Sequence, residues 1–192
     1  MINPENYNLI ICVNEQIDED ITKKIEKSIE SVPNTLIVPI PPAGPQASIL
    51  LAGITYIAVK ICDGFFTKIG EMIAEKAFSD LMRSIKEGQQ EPYIITAGGI
   101  MKGTTNGYSL HHSIIYALSN GSTLKFIFKA DWDMSQFNKA VIIYNREMRK
   151  YVKNQNNQIS NIIETKLPFS GFHIITADLD SDSIIHVDIF KQ

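Results

Sequence analysis

The sequence predicts an α+β fold, with helices on one face of a mostly antiparallel sheet. Three observations predict it. Residues 1–40 run strand, helix, strand. Gln46 to Glu87 reads as one dominant helical stretch. Beyond Pro92, short apolar runs follow one another with Asn-Gly turn signals between them.

The N-terminal unit is βαβ-like. Tyr7 to Val13 is a nearly continuous apolar run, as expected of a buried strand. Asp18 caps a helix with Glu19 and Asp20 in its first turn and Ile21, Ile25 and Ile29 as its buried row. Thr35 to Ile40 is the second strand. If the two strands share a sheet, the crossover between them makes them parallel. Pro39, Pro41, Pro42 and Pro45 form a stiff exit.

The long helix is predicted over residues 46–87. Pro45 suits its first turn, Arg83 and Lys86 suit its C-terminal dipole, and Gly88 can close it. In its second half Ile61, Phe65, Ile69, Ile73, Ala77, Leu81 and Ile85 recur every fourth residue. Its first half, Ala47 to Val59, is uncharged and apolar all round, so it must be buried or lie in lipid. That run of about 14 residues falls short of the roughly 20 that span a bilayer. A straight helix of about 40 residues is about 60 Å long. A compact domain of this size is about 40 Å across. The helix therefore breaks, with Asp63-Gly64 the expected place, or its apolar end is covered by another subunit.

The C-terminal half reads as a meander with one inserted helix. Tyr93 to Ile100, Ser109 to Leu118 and Thr123 to Ala130 are strands, separated by turns at Asn106-Gly107 and Asn120-Gly121. Asp133 and Gln136 form a capping box, with Trp132 placed to pack on Phe137. The helix that follows buries Phe137, Val141, Tyr144, Met148, Tyr151 and Val152, and residues 154–158 are expected to fray it. Phe172 to Leu179 and Ile184 to Phe190 are the last strands, joined by the acidic turn Asp180-Ser181-Asp182.

The chain of 192 residues reads as one domain over 1–192, with sub-units 1–88 and 89–192. A hydrophobic fraction of 44% and a charged fraction of 20% are ordinary for a globular protein. A net charge of −3 argues against bulk nucleic-acid binding. The first six residues lack a basic start and apolar core, and Cys12 and Cys62 sit in apolar runs without a CxxC. The expectation is a cytoplasmic protein, read as bacterial, with buried thiols.

Each candidate chemical site has a weakness. Gly98 and Gly103 have phosphate-loop spacing, but Thr104 stands in place of the lysine and a turn follows rather than a helix. His111 and His112 are adjacent on a strand, so they point to opposite faces and cannot readily share a metal; His173 or His186 would have to join one of them. Asp178, Asp180 and Asp182 begin like a calcium loop, but Ser183 and Ile189 occupy the glycine and glutamate positions. Asp131 and Asp133 suggest an acid/base pair, yet capping accounts for Asp133. Arg146, Arg149, Lys150 and Lys153 form the one basic cluster, with Tyr144 and Tyr151 interleaved.

No cofactor, metal or small-molecule substrate is inferred. The sequence favours a non-catalytic interaction or accessory module, of adaptor or immunity type, that binds another protein or itself through an apolar helix surface. The surface assigned to it comprises Ile49, Leu50, Ile54, Ile57, Phe65 and Phe66, with Arg146, Arg149 and Lys150. The alternatives are a small enzyme with a site near residues 98–112 and a peripheral membrane protein using residues 47–59.

Overall fold

The computed structural model describes residues 6–14, 19–40, 57–61, 71–87, 94–96, 99–101, 104–105 and 107–188. In chain order these form β1 (Leu9–Asn14), α1 (Glu19–Ser28), β2 (Thr35–Ile40), β3 (Ile57–Ile61) and α2 (Glu71–Glu87). There follow β4 (Ile94–Thr96), β5 (Gly99–Met101), β6 (Thr104–Thr105), β7 (Tyr108–Ala117) and β8 (Thr123–Lys129). The last elements are α3 (Met134–Val152), α4 (Gln158–Thr165), β9 (Phe172–Asp178) and β10 (Ser183–His186). Helices and a multi-stranded sheet make the fold α+β.

The main sheet runs in the order β10-β9-β8-β7-β3-β1-β2, with β6 pairing on β7. It is a mixed sheet. The pairs β1–β2, β3–β7 and β8–β9 are parallel, while β1–β3, β7–β8 and β9–β10 are antiparallel. Long connections replace hairpins at each parallel pair: α1 precedes β2, α2 and β4–β6 lie between β3 and β7, and α3 and α4 precede β9. The parallel β1–β2 pair is as the strand-helix-strand pattern predicts.

The helix expected over residues 46–87 is corrected. Ile57–Ile61 is a strand seated between β1 and β7, and the helix described beyond it is Glu71–Glu87, of 17 residues. Residues 46–56 and 62–70 lie outside the described set, and with them the expected break at 63–64. The physical reason is an ambiguity of pattern. A short stretch apolar on every side fits a strand buried on both faces as well as a helix buried all round. Ile57, Val59 and Ile61 are β-branched, and partners on both sides satisfy the backbone.

Two smaller expectations are also corrected. Tyr93 to Ile100 is not one strand: β4 and β5 pair with each other as a separate two-stranded sheet, Thr96 opposite Gly99. A glycine pair packs no side chain and is a weak strand interior. Residues 154–158 do not simply fray α3. Asn154 takes a positive φ of 53°, and Asn157 then caps a new helix by accepting the Ser160 N–H at 2.7 Å. Its apolar row is Ile159, Ile162 and Ile163.

The four described helices pack into one core with the sheet. A continuous core joins Ile21 and Ile25 of α1, Phe78 and Leu81 of α2, Phe137 and Tyr144 of α3 and Ile159 of α4 to Leu9, Ile11, Phe126, Phe128 and Ile175 of the strands. Aromatic rings form its centre: Phe126 lies 4.9 Å from Tyr144 and Phe128 4.3 Å from Phe137, centroid to centroid. The Asp133–Gln136 capping box forms as predicted, with bonds of 2.8 and 3.0 Å. Trp132 and Phe137 both pack on Phe128. A second, small cluster of Ile127, Ile174 and Val187 lies outside this core. On β8 and β9 these residues alternate with the core positions, so they occupy the opposite face.

Candidate functional site

The polar chemistry of the described residues gathers where α3, α4 and the β9–β10 pair meet. Glu147 is buried on α3, 2% exposed. Its Oε1 accepts from Lys150 Nζ at 2.8 Å and Arg146 Nε at 3.2 Å, and its Oε2 accepts the backbone N–H of Gln158 at 3.2 Å. Gln158 is the first residue of α4, so the carboxylate satisfies one of that helix's open N–H groups and faces the positive end of its dipole. Burial alone would raise the Glu147 pKa. The contacts with Lys150, the Gln158 N–H and Arg146 outweigh it and hold the carboxyl below its ordinary range.

The same network holds the β9–β10 turn. Arg146 donates through Nη1 to the Asp182 carboxylate and through Nη2 to the Asp182 carbonyl at 2.6 Å. Lys139 donates to the Leu179 carbonyl at 2.7 Å, and the Ile184 N–H donates to Gln158 Oε1 at 2.6 Å. Asp178 accepts the Ser181 hydroxyl at 2.6 Å and the Asp180 N–H at 3.1 Å. Two members of the predicted basic surface, Arg146 and Lys150, are thus bound within the chain; Arg149 is half-buried beside them. The would-be calcium residues build a turn, with Asp182 committed to Arg146. Among the described residues no group of three or more His, Cys, Asp or Glu side chains is placed to hold a metal ion.

The other predicted residues are dispersed. Ile57 lies on β3, paired with Val13 and His112, not on a helix. Ile49, Leu50, Ile54, Phe65 and Phe66 lie outside the described residues, as does most of the segment that carries the apolar-surface and membrane readings. His111 and His112 are neighbours on β7. The described parts of the Gly98–Thr105 stretch are strands. Asp131 is exposed, and Cys12 is half-buried on β1. Among the described residues no helix is long and apolar enough to cross a membrane.

Two features of this corner were not foreseen. His173 and His186 lie on neighbouring strands, near enough for His186 to act on His173. On β9, His173 shares its face with Ile175 and Ala177; on β10, His186 shares its face with Ile184 and pairs with Ile175. His173 is 1% exposed and its Nδ1 has no hydrogen-bond partner among the described residues. Burial, then the neighbouring His186, pushes its pKa down; burial and Lys166 lower that of His186 against the pull of Asp188. The signal available in sequence was the tight turn between the strands, which sets this register.

The second feature is an exposed apolar turn between α4 and β9. Leu167 is 92% exposed and Phe169 46%, with the exposed Pro168 between them. Phe169 and Phe172 exchange N–H···O bonds of 2.8 Å in both directions, and Ser170 and Gly171 between them have φ of 47° and 84°. These are the marks of a two-residue type I′ hairpin turn. The Thr123 N–H donates to the Gly171 carbonyl at 2.7 Å and ties the turn to β8. The Ser-Gly pair between two phenylalanines is its sequence signal.

Comparison with known proteins found no family model, no curated protein and no solved structure that matches the chain.

Proposed function

We propose that this protein is a non-catalytic module that binds another protein, with the turn Leu167–Phe169 as its anchor. The observation that carries the reading is that Leu167, 92% exposed, leads into a hairpin turn whose backbone is held by hydrogen bonds between Phe169 and Phe172 and from Thr123 to Gly171. A hairpin that loses little freedom on binding is pre-organised for docking. Covering the leucine is worth about 1.5–3 kcal/mol, and covering the remaining exposed part of the phenylalanine about half as much. That suits the centre of an interface whose rim lies elsewhere. The ionic groups Arg146, Glu147, Lys150 and Asp182 support the same reading, because they bind one another and hold α3 to the β9–β10 turn. The anchor replaces the helix surface expected from the sequence, and the partner remains a protein, either a second copy or another chain. A reducing, cytoplasmic setting fits the two cysteines in apolar runs.

A photo-crosslinking residue placed at Leu167 tests the proposal against one at Glu164, which is also exposed. The expected result is a discrete protein adduct from position 167, absent from position 164 and lost when Phe169→Ser is added. Equal labelling at both positions, or none at 167, overturns it.

A further inference from the structure

We propose that His173 and His186 form an acid-sensitive latch, whose protonation releases the corner made by the end of α4 and the β9–β10 pair. The inference deepens the reading of the turn as a docking element, because that turn springs from the same corner. Lys166 caps α4, its N–H donating to the Ile162 carbonyl at 2.9 Å, and Leu167 follows it directly.

The argument begins with His173. A neutral imidazole with one unmet nitrogen can stay buried, as this one does. An imidazolium carries N–H donors on both nitrogens, and an unpaired charge in an apolar core is costly. The surroundings offer His173 little compensation. On β8 the paired residue is the apolar Leu124. On α3 the buried carboxylate, Glu147, is already taken by Lys150, Arg146 and the N–H of Gln158. On β10 the neighbour is His186, whose pKa is lowered as well, and at the end of α4 stands Lys166. Asp188 pulls on His186 in the opposite sense. Acidification thus adds two positive charges beside a third. His173 gains water only when the corner opens.

Both histidines hold their protons less readily than free imidazole. The unfolded or opened chain therefore takes up protons first as pH falls below about 6.5. The latch is closed above that value and loosens beneath it.

Hydrogen exchange of the full chain reads this without any partner, so its outcome is independent of whether the turn docks a protein. The reporting amides are Lys166, Phe172 and Val187, the last donating to the Ile174 carbonyl at 2.9 Å. After correction for intrinsic rates, their protection is expected to fall about tenfold between roughly pH 7.5 and 5.5, with β1 unchanged. His186→Gln, at a half-buried site, is expected to reduce that response, because it removes one of the two charges and leaves the burial of His173. Three results overturn the latch: protection that does not change with pH, protection that falls equally in β1, or a full tenfold response retained in His186→Gln.

Discussion

The Glu147 carboxylate on α3 accepts the first backbone N–H of α4, that of Gln158, at 3.2 Å, and through it two helices and a hairpin are held in one arrangement. Glu147 is also bonded to Arg146, which holds Asp182, while the Gln158 side chain accepts from Ile184. One buried carboxylate thus fixes where the last two strands sit beneath α3.

Glu147→Ala is expected to lower stability by about 2 kcal/mol in urea denaturation. Breaking a fully buried pair costs about 3–5 kcal/mol. Here Arg146 and Lys150 are partly exposed and can rehydrate, which reduces the cost. A loss below about 0.5 kcal/mol, the range of a plain surface change, contradicts the role assigned to it.

The same carboxylate predicts part of the acid limb. Its folded pKa lies below its ordinary value of 4.5, so on acidification the unfolded chain binds the proton first. The stabilisation is full above that value and is lost as pH falls through the folded pKa. Stability measured from about pH 6 to 3 should therefore fall less steeply in Glu147→Gln than in the native chain. Equal slopes count against the prediction.

Tyr144 is buried in the aromatic core and its hydroxyl has no hydrogen-bond partner among the described residues. Burial raises its pKa far above that of a free phenol. Removing an unmet buried hydroxyl recovers its desolvation cost, so Tyr144→Phe should stabilise the protein by about 1 kcal/mol. A higher melting temperature is the expected outcome; a lower one shows that the hydroxyl is used.

Lys125 lies on β8 between Ile115 and Ile174, half-buried, with no ion-pair partner among the described residues. Desolvation lowers its pKa below 10.5. Lys125→Met should raise stability at neutral pH by about 1 kcal/mol, since a desolvated charge is replaced by a side chain of similar length. As pH rises through the folded pKa of Lys125 towards 10.5 the native lysine loses its charge, and the gap should narrow. A gap that widens with pH refutes the assignment.

The apolar turn separates folding from binding. Gly171 has φ of 84° with open space where a Cβ would stand, so Gly171→Ala should cost about 1 kcal/mol through backbone strain alone. Leu167→Ser, at a fully solvated side chain, should change stability by less than about 0.5 kcal/mol, whereas it is Phe169→Ser that should abolish the crosslink from position 167. Thermal denaturation of both variants checks the contrast; a destabilised Leu167→Ser places that leucine in the fold rather than on its surface.

What the sequence by itself determined were the features that depend on neighbours in the chain. The Asp133–Gln136 capping box, the left-handed glycines at 107 and 121, the strand-helix-strand start and the buried row of α3 all follow from contacts within a few residues. Tertiary structure decided the rest. Ile57–Ile61 is a strand because β1 and β7 flank it, partners far away along the chain in both directions and invisible to any local pattern. Arg146 and Lys150 look like a free basic surface until Glu147 and Asp182 are brought to them, and His173 comes near His186 only once the hairpin sets its register. Local signals report which conformation a segment prefers; long-range pairing decides which preference is satisfied, because a buried backbone or charge is stable only where its partner arrives.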